Sequence, residues 1–160
     1  MPMITIKKAS AIDLQKINEV NRKCLSENYP MDSWKDLFDV AIIHTAVVNN
    51  EIVGYVVAID ADNLRTNEET NSLIEKYNRE TVEIVSIAVL ESHRNKKIGD
   101  SLLKSILTTI SSKYMVVLNV RESNKHAQHV YLKNGFQIHD QKQIDYCENP
   151  VENALLMFKL

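Results

Sequence analysis

The chain is 160 residues long with 44% hydrophobic and 25% charged residues, enough to build one sizeable core and short for a second domain, so a single domain over 1–160 is expected. Its 19 Lys and Arg nearly balance 21 Asp and Glu, and the formal net charge of -2 gives no bulk-charge reason to expect nucleic acid or an anionic membrane as partner. The start, Met1-Pro2-Met3-Ile4-Thr5-Ile6-Lys7-Lys8, lacks the apolar stretch of a signal peptide and no later run approaches a membrane span, so a cytoplasmic location is expected.

Ile4-Thr5-Ile6 alternates like a short strand. From Ser10 to Leu25, Ile12, Ile17 and Val20 with Leu14 and Cys24 follow mostly helical spacing, and Ser10 with Asp13 resembles a capping box. Pro30 pushes Tyr29 out of the helical region, so Glu27-Asn28-Tyr29-Pro30 forms a polar corner before a second short helix over Ser33 to Val40. Ile42 to Val48 and Ile52 to Ile59 read as antiparallel strands joined at Asn49-Asn50, where Asn tolerates positive φ.

Asp60 to Glu80 is charged and turn-rich and reads as an inserted surface loop with a short helix around Leu73 to Tyr77. Val82 to Val89, apolar on both alternating faces, reads as the buried central strand. A helix over Gly99 to Ser112 and a strand over Met115 to Val120 then imply a right-handed parallel crossover. His126 to Lys133 reads as a helix stopped by Asn134-Gly135, with final strands over Gln137 to Ile144 and Ala154 to Leu160. Cys24 and Cys147 show no CxxC spacing and fit reduced, structural thiols; His93, His126 and His129 make no metal pattern with nearby carboxylates or cysteines.

The junction Glu91-Ser92-His93-Arg94-Asn95-Lys96-Lys97-Ile98-Gly99-Asp100-Ser101 carries chemistry. A turn feeding a helix presents unpaired N–H groups and the positive end of a helix dipole, so it can hold a diphosphate, although a basic turn is also an ordinary solvated connection. Glu83 through Leu103 resembles the coenzyme-binding motif of the GCN5-related N-acetyltransferases: Gln or Arg, two residues, Gly, one residue, then Gly or Ala. Those six positions read Lys96, Lys97, Ile98, Gly99, Asp100 and Ser101, with Lys97 where glycine often stands. Downstream, Asn119 to Phe136 resembles the family's later motif, an Asn, an Ala and a Tyr ahead of Gly-Phe, here Asn124, Ala127, Tyr131, Gly135 and Phe136. Cys24 to Met31 resembles the loop between the first two helices of protein N-terminal acetyltransferases, especially the archaeal and eukaryotic catalytic subunits.

The resemblance implies an α/β fold, a mixed central sheet of about seven strands flanked by about four helices, with splayed parallel strands binding acetyl-CoA. It implies coenzyme contacts from Ile87, Ala88 and Val89, through backbones that pair with the pantetheine arm, from Arg94, Asn95, Lys96, Lys97, Ile98, Gly99, Asp100 and Ser101, and from Asn124, Ala127 and Tyr131. Glu83 is the implied base and Tyr131 the acid at the thiolate; otherwise Glu83 is a strand carboxylate paired with a cation, and Tyr131 a packed helix tyrosine. Some members carry Glu or His where Asn119 stands, so a base at that place is absent here.

Glu27, Asn28, Tyr29 and Tyr146 are the peptide-side candidates, with surface-loop decoration as the alternative. The implied activity is acetyl transfer from acetyl-CoA to the α-amino group of protein N-termini by direct attack, releasing CoA, with no metal. The implied partners are protein or peptide N-termini, with room for an auxiliary subunit or ribosome association. A small-amine acetyltransferase and a low-turnover acetyl-CoA-binding regulator remain open, since the fold alone does not define substrate.

Overall fold

The computed structural model describes residues 3–25, 28–64, 66–148 and 151–160, and side chains outside 140–151. In chain order the elements are β1 (Ile4–Lys8), α1 (Leu14–Cys24), α2 (Met31–Val40), β2 (Ala41–Val48), β3 (Glu51–Asp60), α3 (Glu68–Tyr77), β4 (Thr81–Val89), α4 (Ile98–Thr109), β5 (Met115–Arg121), α5 (Lys125–Lys133), β6 (Gln137–Glu148) and β7 (Val151–Lys159). The strands form one sheet in the order β1-β2-β3-β4-β5-β7-β6. It is mixed: β1/β2, β2/β3, β5/β7 and β6/β7 are antiparallel, and β4/β5 is parallel. This is the α/β architecture with a seven-stranded mixed sheet that the resemblance implies.

The chain divides into two compact units, Met1–Ile59 with Val85–Ile110, and Asp60–Ile84 with Ser111–Leu160. In the first unit, Asn49 and Asn50 have φ of 51° and 63°, the consecutive left-handed pair that a two-residue hairpin connection demands, and they join β2 to β3. Helix α1 buries Leu14, Ile17 and Val20. Ile12, expected on that apolar face, lies instead in the 3₁₀ turn Ala11–Asp13 and is 89% exposed. The Asp13 carboxylate reaches back to accept from Ser10 N at 2.8 Å and Ser10 Oγ at 3.1 Å, a capping arrangement in which the acid serves both groups. Pro30 caps α2, which therefore begins at Met31, two residues before the expected start. Gly54 marks the tightest approach: a Cβ there would lie 2.9 Å from the Ala88 carbonyl oxygen and 3.2 Å from both Leu102 and Val89.

In the second unit the segment from Asp60 to Glu80 is no surface insertion. Asn67 caps α3 by accepting from Thr70 N at 2.9 Å, Glu68 and Glu69 occupy its first turn, and Asn78 ends it in the left-handed region. Leu73 is fully buried with Met115, Val117, Leu156 and Phe158, and Tyr77 packs its ring on Phe158 at 5.4 Å. The charged outer face of an amphipathic helix had the composition of a loop. The short helix expected around Leu73 to Tyr77 is present and begins earlier, at Glu68.

The β4/β5 ladder runs from Thr81↔Met115 to Ile84↔Leu118. Both strands continue beyond it, β4 to Val89 and β5 to Arg121.

Candidate active site

The candidate residues fall into two sets, one in each unit. In the first, β4 ends at Val89, whose carbonyl accepts from Arg94 Nε at 3.0 Å and lies 3.4 Å from the Cys24 thiol. A 3₁₀ turn over Glu91–His93 follows, then Asn95 and Lys97 in the left-handed region at φ 64° and 61°, and α4 starts at Ile98. No side chain caps α4, and its first helical bond runs from Ser101 N to Lys97 O at 3.0 Å. The amides of Ile98, Gly99 and Asp100 therefore stand at the positive end of the helix without an intrahelical acceptor. Arg94, Lys96 and Lys97 are exposed around them.

This geometry moves the motif's frame two residues earlier. The first glycine of such a pattern serves where the chain must turn left-handed, and that position is Lys97. Arg94 then stands first, and Gly99 takes the second glycine's place. Gly99 is not demanded by the chain's own packing, because an added Cβ would meet only Val89 Cγ2, at 4.0 Å, and its φ is not positive. A bare backbone that the protein itself does not require leaves room for a ligand to approach, so this turn fits a diphosphate. Ser101 has its amide engaged within α4, and Asp100 pairs with Lys104 at 2.8 Å. Ala88 is buried in the core, while Ile87 and Val89 are half-buried.

Lys97 bears the strain of a left-handed side-chain residue. Lys97→Gly is expected to raise stability by about 1 kcal/mol, read as a higher denaturant midpoint at unchanged slope.

Of the peptide-side candidates, Asn28 and Tyr29 belong to the same unit. Tyr29 is half-buried and meets Trp34 edge-on at 5.4 Å; Trp34 meets Tyr55 edge-on at 5.5 Å. The Tyr55 hydroxyl shares a 2.7 Å hydrogen bond with Ser86 Oγ on β4 and accepts from Asn21 Nδ2 at 2.9 Å. Burial pushes the Tyr55 phenol up to about 12, so it stays a neutral structural group. Asn28 is exposed, and Glu27 and the Tyr146 side chain lie outside the described residues. Trp34, Tyr55 and Ser86 were not candidates from sequence; an isolated Trp next to a polar loop was the available signal.

The second set begins with Glu83. It is half-buried on β4, no cation among the described residues pairs with it, and burial raises its carboxyl to about 7. Asn124 caps α5, its side chain accepting from Ala127 N at 3.1 Å, which is a local structural duty. At the other end, Gly135 has φ 92°, Gly135 N donates to Leu132 O at 3.1 Å and Phe136 N to Tyr131 O at 3.1 Å, a complete Schellman stop. The Phe136 ring then lies 5.8 Å from that of Tyr131, which is 7% exposed. The spacing Tyr, Gly, Phe thus has a mechanical reason: the glycine turns the chain so that the phenylalanine holds the tyrosine.

Gln128, another residue with no signal in the periodicity, fixes α5 to the end of β5 by donating to the carbonyls of Arg121 at 3.1 Å and Glu122 at 2.9 Å. Glu152 on β7 accepts from Ser123 N and Oγ and pairs with Arg121 at 3.7 Å. Those Ser123 hydrogen bonds hold its carboxyl below the usual range. Among the described residues, no three His, Cys, Asp or Glu side chains gather so as to hold a metal ion, and no helix is long and apolar enough to cross a membrane.

The acetyltransferase (GNAT) family model matches residues 14–136. An N-alpha-acetyltransferase of Sulfurisphaera tokodaii is 32% identical over 157 residues, covering 95% of this chain and 90% of that protein. The N-terminal acetyltransferase A complex catalytic subunit NAA10 of Arabidopsis thaliana is 31% identical, covering 91% of this chain and 73% of its own. In fold, Arabidopsis thaliana NAA60 in complex with a bisubstrate analogue superposes with a TM-score of 0.81 at 16% identity, covering 98% of this chain and 97% of that one. A left-handed turn into an uncapped helix, a half-buried glutamate and a tyrosine held by a Gly-Phe stop therefore sit in a relative of these enzymes, and the chain belongs to the GNAT family of acetyl-CoA-dependent acetyltransferases.

Proposed function

We propose that this acetyltransferase modifies the α-amino group of protein N-termini. The observation that carries the reading is Glu83, a half-buried carboxylate that no cation among the described residues pairs with, raised to about 7. An α-amino group titrates near about 7.7 to 8.0 and a lysine amine near about 10.4, so a base of this strength is matched to the first and weak for the second. The names of the relatives in Sulfurisphaera tokodaii and Arabidopsis thaliana point the same way.

Acetyl-CoA supplies an activated acyl group and a thiolate leaving group. The amides of Ile98, Gly99 and Asp100, with Arg94, Lys96 and Lys97, would hold its diphosphate. Glu83 takes the proton of the incoming ammonium, and the Tyr131 hydroxyl gives a hydrogen bond where negative charge collects on sulfur. Tyr29, braced on Trp34, offers a hydroxyl to the backbone of the substrate's first residues.

The test is a thiol-release assay with short peptides containing one internal lysine, with the N-terminus free or blocked. Free peptides should be acetylated at the N-terminus at least about tenfold faster in kcat/KM than blocked peptides or free small amines. Equal rates on blocked peptides, or faster turnover of a small amine, would overturn the reading.

A further inference from the structure

Helix α5 has little of its own to hold it in place. An isolated helix needs about 12 to 15 residues to persist in water. This one has nine and buries only Gln128 and Tyr131. Its position therefore depends on what grips its two ends. The far end is fixed by the glycine stop that seats Phe136 against Tyr131. At the near end, Gln128 ties the helix back to the carbonyls of Arg121 and Glu122, the chain that leads into it.

That leading turn is held in its place by β7. Arg121 stands opposite Ala154 in the antiparallel ladder, so Glu122 falls opposite Asn153 and Ser123 opposite Glu152. Glu122 N still donates to a backbone acceptor, Asn153 O, at 3.0 Å. One step further a side chain takes over: Glu152 Oε1 accepts from Ser123 N at 3.2 Å and from Ser123 Oγ at 2.8 Å, while Oε2 lies 3.7 Å from Arg121 Nη1. The same Ser123 bonds hold the carboxyl below its usual range, so it stays an ionised acceptor, the stronger kind. Ser123 immediately precedes Asn124, the cap of α5, and Tyr131 lies about two turns along the helix from that cap.

We propose that Glu152 is a positioning residue for Tyr131: by gripping Ser123 it fixes the start of α5 against β7, and so sets where the Tyr131 hydroxyl stands relative to the departing sulfur. The inference rests on the reading of Tyr131 as the donor to that sulfur. The role requires no contact between Glu152 and either substrate, and no proton passes through it. A hydrogen bond weakens steeply once its distance and angle are lost. With the turn released, α5 takes up positions in which the hydroxyl is out of line, and the loss is felt where negative charge collects on sulfur, in the transition state rather than in the bound ground state.

The experiment is a mutant cycle in steady-state kinetics, using whichever amine the wild type acetylates: Glu152→Ala, Tyr131→Phe, the two combined, and Glu152→Gln. Glu152→Ala should lower kcat about tenfold and leave KM for acetyl-CoA and for the amine within about twofold of wild type. Glu152→Gln keeps an acceptor for Ser123 and should return kcat to within about threefold of wild type. The combined variant should turn over no more slowly than Tyr131→Phe alone, because the placement of a hydroxyl ceases to matter once the hydroxyl is gone. A purely structural loss would instead multiply with that of Tyr131→Phe, and this result would overturn the proposal, as would a wild-type kcat in Glu152→Ala or a glutamine variant as slow as the alanine one. Should Glu152→Ala fail to fold, Ser123→Ala removes the hydroxyl tie and leaves the amide; it should lower kcat about threefold and show the same non-additivity with Tyr131→Phe. A wild-type rate in Tyr131→Phe itself would remove the acid and the proposal with it, whereas a slow Tyr131→Phe with multiplying losses overturns the positioning role alone.

Discussion

Glu83→Gln is expected to lower turnover about a hundredfold or more while making the folded chain more stable above pH 7. Both effects come from the same burial. The unfolded carboxyl ionises around 4.5, whereas the folded one holds its proton to about 7. Between those values the native chain binds the extra proton, so stability falls as pH rises through that window and levels off above it. At pH 8 the cost is about 3 kcal/mol, which a neutral glutamine of the same shape avoids. Urea melts at pH 5 and pH 8 should show a wild type that weakens with pH more than the variant does. The wild-type kcat/KM should rise with pH through about 7 as Glu83 ionises, and the glutamine variant should lose that limb. A variant that keeps both the rate and the limb would remove Glu83 from the chemistry.

The parts of this molecule that can be read from sequence are those where one residue type answers one local demand. Asn49-Asn50 supplies two left-handed residues and Asn134-Gly135 supplies a helix stop, and both elements ended where expected. The coenzyme turn was legible in kind, yet displaced in frame, because a glycine pattern locates positive φ only when glycine is present. Here Lys97 takes that conformation, and Gly99, the glycine that anchored the frame, does not.

Helix α3 was legible only in its second half, Leu73 to Tyr77, for a different reason. Its capping Asn67 and first-turn Glu68 and Glu69 were visible, but Leu73, Ile74 and Tyr77 make a narrow apolar stripe among many charges, and only the partners on β5 and β7 turn it into core. Long-range polar support leaves still less trace. Gln128 reaches two carbonyls on the preceding turn, and Tyr55 meets Ser86 31 residues away, pairings that depend on tertiary placement rather than on any period.

Trp34→Ala should be the most damaging single change in the first unit, destabilising it by about 3 to 5 kcal/mol. Trp34 is fully buried, its indole N–H donates to Asn18 Oδ1 at 2.9 Å, and it stands edge-on between Tyr29 and Tyr55. Removing it leaves a cavity, an unpaired amide oxygen on Asn18 and two aromatic rings without their shared partner. The effect on function differs by site. Tyr29 loses the surface that orients it, so the peptide KM should rise, whereas the amides at the start of α4 do not touch Trp34 and acetyl-CoA affinity should hold at temperatures where the variant is folded. Trp34→Phe separates the two contributions, since it keeps an aromatic ring beside Tyr29 and removes only the indole donor, at a cost of about 1 to 3 kcal/mol. Calorimetric titration with acetyl-CoA alongside peptide kinetics reads both. If Trp34→Ala weakens coenzyme and peptide equally, the aromatic stack is general core; if Trp34→Phe restores the peptide KM, the stack is the brace that holds Tyr29 for the substrate.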